Sequence, residues 1–283
     1  MSVELLLGKQ NRDGGWPYVR GASWTEPTVY AVLALLAAGE QERARRGLAW
    51  LRARQLPDGG WPPQPGFDES NWVTALAALV PPEQLGAQPH ARAIEWLMRT
   101  TGEESTAVFR LRRWLLGQAP PKREPDGWPW VRGTAAWVVP TSLAVLALDK
   151  EYTRNPSPAI RARIAEGRQY LMERMCVNGG WNHGSVRVYG VEGLPYPETT
   201  GIALAAIRGI RSTATDRSVA VAQAFLKECR SADAWNWLRV GLMAHNQLPP
   251  DHNQPALAFR TLMETSLDML VGETRKGREI FWG

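Results

Sequence analysis

The sequence predicts an all-α protein in which repeated helical hairpins close into an α/α toroid. Three observations lead there. A turn of the Asp-Gly-Gly-Trp type recurs along the chain, a helical run with almost no polar position follows each copy, and helices apolar on one side only lie between those runs. Repetition with a period in the forties or fifties signals stacked supersecondary units that share a continuous core.

The turns come first. Gln10-Asn11-Arg12-Asp13-Gly14-Gly15-Trp16-Pro17 and Gln55-Leu56-Pro57-Asp58-Gly59-Gly60-Trp61-Pro62 are full copies, Asp126-Gly127-Trp128-Pro129 is a shortened one, and Val177-Asn178-Gly179-Gly180-Trp181-Asn182 is a fourth. Paired glycines accept left-handed backbone angles and stop a helix, and a following proline cannot continue one. The tryptophan lays a large apolar face over the helix end, and its indole N–H can still find an acceptor.

The first apolar run is capped by Thr25-Glu26-Pro27-Thr28 and extends from Val29 to Ala38; its echoes are Asn71–Leu79, Trp137–Leu148 and Pro197–Ile207. Each has a threonine just before the apolar stretch. A helix apolar on every side must be buried on every side. The second kind of helix is amphipathic: Ala44, Leu48 and Leu51 share one face of the segment Glu42–Arg54 while arginines cover the other. Ile160, Ile164, Leu171 and Met175 repeat the stripe, and Ile94 with Leu97 and Val219 with Ala222 and Leu226 give shorter versions. An inner ring of buried helices inside an outer ring of half-buried ones satisfies both patterns, whereas an open superhelix would carry polar residues on its concave side. Weaker helical patterns lie near residues 3–10, 104–117, 234–246 and 255–271, giving about a dozen helices in one domain spanning 1–283. The interval from Trp61 to Trp128 is too long for one unit and holds an irregular helix around Leu111–Leu116.

Composition narrows the function classes. The formal charge of +5 is modest, and Arg43, Arg45, Arg46, Arg52 and Arg54 sit at helical spacing among apolar residues, a solvated face and not a nucleic-acid site. Arg110, Arg112, Arg113, Lys122 and Arg123 form a second basic neighbourhood able to rest against anionic lipid. Cys176 and Cys229 have no metal-site spacing and read as buried thiols of a reducing compartment. The start Met1-Ser2-Val3-Glu4 carries an acid where a secretion signal would have a base, and the apolar run from Tyr30 to Ala38 is too short to span a membrane. These features place the protein in the cytoplasm, with a peripheral membrane contact compatible. His90, His183, His245 and His252 are scattered, so no metal and no other cofactor is expected.

The Gln-x-x-Asp-Gly-Gly-Trp turns, the Thr-x-x-x-x-Leu-Ala-Leu helices and the outer-helix ending Trp50-Leu51-Arg52-Ala53-Arg54-Gln55 resemble the prenyltransferase and squalene-oxidase repeat superfamily over residues 5–230. The resemblance implies an α6/α6 barrel around an apolar cavity for an isoprenoid chain. The Asp-x-Asp-Asp acid motif of that family's cyclases is missing. The positions before Thr28, Thr141 and Thr200 read Trp24-Thr25-Glu26-Pro27, Trp137-Val138-Val139-Pro140 and Tyr196-Pro197-Glu198-Thr199. The aspartate, cysteine and histidine of the zinc-dependent members are missing as well, and Asn182-His183-Gly184 lacks the cysteine of the lanthionine cyclases' Cys-His-Gly.

The remaining chemistry sits at the mouths of the inner helices. Trp24, Trp72 and Trp137 could face a hydrocarbon or a developing cation, or simply pack between the rings. The loop 181–190 brings His183, Arg187 and Tyr189 toward Tyr196 and Glu198. Glu198 and His183 are the candidate acids; Arg187, Tyr189 and Tyr196 join the tryptophans as candidate ligand-binding residues, Arg187 for a phosphate. Glu26, Glu198, Asp68 and Glu69 lie at or before helix starts, where a carboxylate either partners the helix dipole or, in surroundings that raise its pKa, serves as a catalytic acid. The expected function is isoprenoid binding with cyclisation or prenyl transfer, the alternative a non-catalytic lipid-binding or scaffold protein.

Overall fold

A computed structural model of the chain describes residues 2–117, 125–184, 187–188, 191–249 and 257–282. Among these residues six helices form the inner ring: α2 (Thr25–Ala37), α4 (Val73–Ala78), α8 (Val138–Arg154), α10 (Pro197–Ala206), α12 (Ala232–Ala244) and α13 (Leu262–Arg275). Each packs on the next, and α13 returns to α2, so the ring is closed and no open superhelix forms. Outside it lie α1 (Ser2–Gly8), α3 (Gln41–Arg54), α6 (Ala87–Arg99), α9 (Pro158–Glu173) and α11 (Thr213–Glu228). The α/α toroid expected from the two kinds of helix is therefore present. Leu33, Leu146 and Leu204 are buried in its core.

One hydrogen-bond scheme explains why the repeat folds this way. The backbone N–H of each repeat tryptophan donates to the threonine hydroxyl of the inner helix that follows it: Trp16 to Thr28 and Trp61 to Thr74 at 2.9 Å, Trp128 to Thr141 at 2.9 Å, Trp181 to Thr200 at 3.0 Å. Its indole N–H donates to a leucine carbonyl on the preceding outer helix, Leu6, Leu51, Leu97 and Leu171 in turn, at 2.6–2.9 Å. Each tryptophan is thus buried between two rings with both donors satisfied. In the two full copies the aspartate adds a further lock. Asp13 accepts from the Gly15 N–H, the Ser23 hydroxyl and the Trp50 indole, and Asp58 accepts from Gly60, Ser70 and Trp96 in the same geometry. Burial alone would raise both carboxyls, but these donors outweigh it and hold them below the usual aspartate value. Gly14 and Gly59 have φ of +99° and +95°, the left-handed angles that the turn requires.

The long interval between Trp61 and Trp128 contains one full hairpin plus an insertion. After α6 come the short 3-10 turn Glu103–Ser105 and α7 (Ala107–Leu115), and the short α5 (Pro82–Leu85) precedes α6. The Trp128 indole still reaches Leu97, although 31 residues separate them where the other pairs are 10 apart. The segment expected at 234–246 is α12, a full member of the inner ring, and the one expected at 255–271 is α13, which runs on to Arg275. A two-residue ladder, β1 (Arg187–Val188) with β2 (Val191–Glu192), decorates the loop before α10. Cys176 and Cys229 are free and buried. Among the described residues no helix is long and apolar enough to cross a membrane.

Candidate active site

All six inner helices start at the same rim, and a cavity of about 290 Å³ opens there. Each helix lends it at least one residue: Glu26 and Tyr30 from α2, Trp72 at the start of α4, Val139 and Leu143 from α8, Glu198 and Ile202 from α10, Asp233 and Trp237 from α12, and Met263 from α13. Trp130 and His183 complete the lining. The wall is mostly aromatic and aliphatic, and among the described residues it holds three carboxyls and no lysine or arginine.

Trp130 and His183 come from a second regularity of the repeat. The residue two places after each repeat tryptophan turns its carbonyl to the first turn of a neighbouring inner helix and satisfies an N–H that the helix itself leaves unpaired. Tyr18 accepts from Leu262 at 2.8 Å, Pro63 from Thr25 at 2.8 Å, Trp130 from Trp72 at 3.1 Å and His183 from Val138 at 3.1 Å. The same bonds bring the Tyr18, Trp130 and His183 side chains to the rim. Trp130 meets Trp72 edge to face with centroids 4.9 Å apart, and the Tyr18 hydroxyl donates to Glu26 Oε2.

Electrostatics separates the carboxyls. Glu26 is pushed up to about 7 by burial, against the lowering effect of the Tyr18 hydrogen bond. Asp233 is also pushed up to about 7, first by burial and then by the charges of Glu26 and Glu198. Both touch the cavity and are half-buried at its rim. Each of the two therefore holds its proton up to near-neutral pH. The Tyr30 phenol is raised well above its ordinary value by burial and by Glu26 and Asp233, so it stays neutral.

The residues expected to form the site are only partly brought together. Glu198, His183 and Trp72 line the cavity. Trp137 lines an adjoining cavity of about 270 Å³, whose wall also includes Glu104, Phe109, Arg174 and again His183. Tyr196 is exposed beside His183, 5.3 Å between ring centroids, outside the lining of either cavity. Trp24 does not join the site, because its N–H pairs with the Trp16 carbonyl and its ring packs on Tyr18, centroids 5.5 Å apart. The Arg187 backbone lies in β1 while its side chain, like the whole of Tyr189, is outside the described residues. Glu26, in the first turn of α2, also faces the cavity in the pKa-raising surroundings that acid chemistry needs. Tyr18, Trp130 and Asp233 were missed. The spacing of two from each repeat tryptophan would have found the first two, and Ser231-Ala232-Asp233 at the head of an apolar helix the third. Among the described residues no three or more histidines, cysteines or carboxylates gather in a metal-holding arrangement.

No protein-family model matches the chain. Solved structures similar to it along nearly the whole length include a GH76 α-mannanase from Bacteroides thetaiotaomicron (TM-score 0.65, 7% identity, 97% of this chain and 95% of that one) and a GH8 endo-β-1,4-glucanase from an Achatina fulica gut metagenomic library (0.61, 14%, 98% and 98%). A protein from Actinoplanes aligns at TM-score 0.54 and 18% identity, covering 100% of this chain and 81% of that one. At such identities the likeness shows the fold, an α/α toroid shared with glycoside hydrolases. A squalene–hopene cyclase from Alicyclobacillus acidocaldarius is 50% identical over 44 residues, 15% of this chain and 7% of the cyclase. Membership of the prenyltransferase and squalene-oxidase repeat superfamily, which the turn motifs suggested, is corrected accordingly. The cyclase match covers 44 residues, while solved structures similar along nearly the whole chain include glycoside hydrolases. Stacked-hairpin turns report how two rings are stapled, and that requirement is common to toroids of different chemistry.

Proposed function

We propose that the chain is an acid catalyst acting on a small, hydrocarbon-rich substrate of isoprenoid type. The observation that carries the reading is the pair Glu26 and Asp233, both raised to about 7 inside a cavity walled by Trp72, Trp130 and Trp237. The Tyr18 hydroxyl occupies Oε2 of Glu26, which leaves the Oε1 proton for the substrate. The π pair of an alkene takes that proton, a C–H bond forms, and a carbocation and a glutamate carboxylate remain. Desolvated aromatic faces favour such a cation by about 0.5–2 kcal/mol each. Loss of a neighbouring proton to a carboxylate of the cavity restores the balance, and the product is an isomer or cyclised isomer of the substrate. Among the described residues no lysine or arginine lines the cavity to receive a diphosphate, so a neutral substrate suits it better than a prenyl diphosphate. The reading includes a peripheral membrane contact, since such substrates partition into bilayers.

A second reading has specific support. The whole-chain neighbours include glycoside hydrolases, and glycoside hydrolysis also uses paired carboxyls, one of them held protonated. The mostly aromatic and aliphatic wall makes it the weaker fit, because sugars need many hydrogen-bond partners. The deciding experiment incubates the protein in deuterium oxide with unsaturated prenyl hydrocarbons and alcohols, and separately with cello-oligosaccharides and mannan. Deuterium entering an isomerised or cyclised prenyl product, and absent with Glu26→Gln, supports the first reading. Release of reducing ends supports the second, and saturable binding without turnover would leave a lipid-binding protein.

A further inference from the structure

A soluble toroid ordinarily turns its long apolar side chains inward, and α7 does the reverse. Val108 is 76% exposed, Leu111 54%, Trp114 66% and Leu115 69%, and Leu116 just beyond the helix is 64% exposed. Successive helical residues are about 100° apart, so Val108, Leu111, Trp114 and Leu115 share one face. The opposite face carries Phe109 and Arg113, which are half-buried against the body. Arg112 stands at the border of the apolar face, exposed and, among the described residues, in no ion pair. The helix is therefore amphipathic twice over: one side seats it on the barrel, and the other presents hydrocarbon edged by positive charge to the outside.

Its place in the fold adds a second argument. Phe109 lines the cavity that Trp137 and His183 border, so α7 lies beside the rim where the inner helices begin. On the same rim Trp137, Leu194 and Tyr196 are exposed. Scattered exposed apolar residues need no explanation, but a cluster this dense along one helix marks an interaction surface. A helix with such a face, a tryptophan within it and arginine at its edge has the chemistry of one lying in the plane of a lipid interface. Bulky residues sink to the acyl boundary there while arginine meets anionic headgroups.

We propose that α7 is a docking element for an anionic bilayer surface, seating the barrel with its cavity rim toward the lipid. Lys122 and Arg123, which the sequence groups with this neighbourhood, lie outside the described residues and are not needed for the argument. The proposal deepens the membrane contact of the preceding reading, and its test takes no readout from the cavity.

The test is density-gradient flotation of the full chain with vesicles of phosphatidylcholine alone and of equal parts phosphatidylserine and phosphatidylcholine. The native chain should float with the anionic vesicles and much less with the neutral ones, and added salt should weaken flotation. Leu111→Glu and Trp114→Glu should each lower the bound fraction at limiting lipid by about tenfold, with an unchanged circular dichroism spectrum. Leu5→Glu, at an exposed leucine of α1, should float like the native chain. Failure of the native chain to float with anionic vesicles would overturn the proposal, as would a Leu111→Glu chain that floats normally. Sedimentation velocity without lipid covers the competing occupant: a native dimer that Leu111→Glu dissolves, with no vesicle binding, assigns the face to a second copy of the chain.

Discussion

Gly201 of α10 and Gly241 of α12 meet backbone to backbone: a β-carbon on Gly241 would lie 2.4 Å from the Gly201 carbonyl oxygen, and one on Gly201 would lie 2.3 Å from the Trp237 carbonyl carbon. No side chain can move to relieve either approach, because the obstacle is main chain. The seam lets α10 and α12 run side by side in register, and it thereby sets Glu198 and Asp233, each the second residue of its helix, on the same stretch of rim. The charge of Glu198 is one of the causes that raise Asp233. Two glycines thus link packing in the ring to the protonation of the site.

Gly201→Ala and Gly241→Ala should each destabilise the fold by about 3 kcal/mol, the cost of overpacking a closed interface. Gly272→Ala in α13 is the control. A β-carbon there meets nothing within 4 Å, so alanine should be neutral or stabilise the helix by about 0.5–1 kcal/mol. Urea unfolding followed by far-ultraviolet circular dichroism reads all three.

Thr74→Val keeps the side-chain shape and removes the hydroxyl that accepts the buried Trp61 N–H at 2.9 Å. That donor then has no partner in an apolar seam, at a cost of about 1–3 kcal/mol. Thr28→Val, Thr141→Val and Thr200→Val should fall in the same range, since each hydroxyl serves the equivalent tryptophan. A near-zero change on denaturation at all four positions would mean that water or relaxation replaces the bond.

The ring architecture was legible because it rests on periodicity. A helix apolar all round, as from Val29 to Ala37, has one place to go, and the tryptophan turns mark where each hairpin closes. The site was less legible because its acids do not belong to a motif. Glu26 looks like any carboxylate in a first helical turn until Tyr18 and the surrounding wall are placed around it. Asp233 heads a helix whose pattern, broken by Asn236 and Arg239, reads as weak although nearly all of the helix is buried. His183 and Glu198 were legible as neighbours of the fourth turn. Trp24 was misjudged, because position before a helix does not say which way a ring faces.

Glu26 and Asp233 also set a pH dependence of stability. A carboxyl whose pKa is near 7 in the folded chain and near 4 in the unfolded one binds more proton when folded. The contribution is fully present below about pH 4 and is lost as pH rises through about 7, so these groups make the fold less stable with rising pH in that window. Replacing them with Gln and Asn should flatten the slope between those limits. Urea midpoints measured from pH 4.5 to 8 check it, and an unchanged slope would show that neither group is raised.

The last prediction concerns Tyr18 and Glu26 together. The hydrogen bond from Tyr18 favours the ionised carboxyl and holds Glu26 below the value that burial alone would give. Tyr18→Phe removes the donor and keeps the ring that packs on Trp24, so Glu26 should retain its proton to higher pH. If Glu26 is the acid, the alkaline fall in the rate moves upward in Tyr18→Phe. The maximal rate drops at the same time, because the carboxylate left after proton transfer has lost its stabilising partner. Glu26→Gln should lower the rate about a thousandfold, within the range of a positioned general acid, and abolish the alkaline limb. Glu26→Gln also removes one of the charges that raise Asp233, so Asp233 should titrate nearer the ordinary aspartate value. The urea-midpoint profile of that variant reads the change without reference to turnover. An alkaline limb that stays in place in Tyr18→Phe, while Glu26→Gln keeps most of its activity, would transfer the acid role away from Glu26 and leave Asp233 as the group to test.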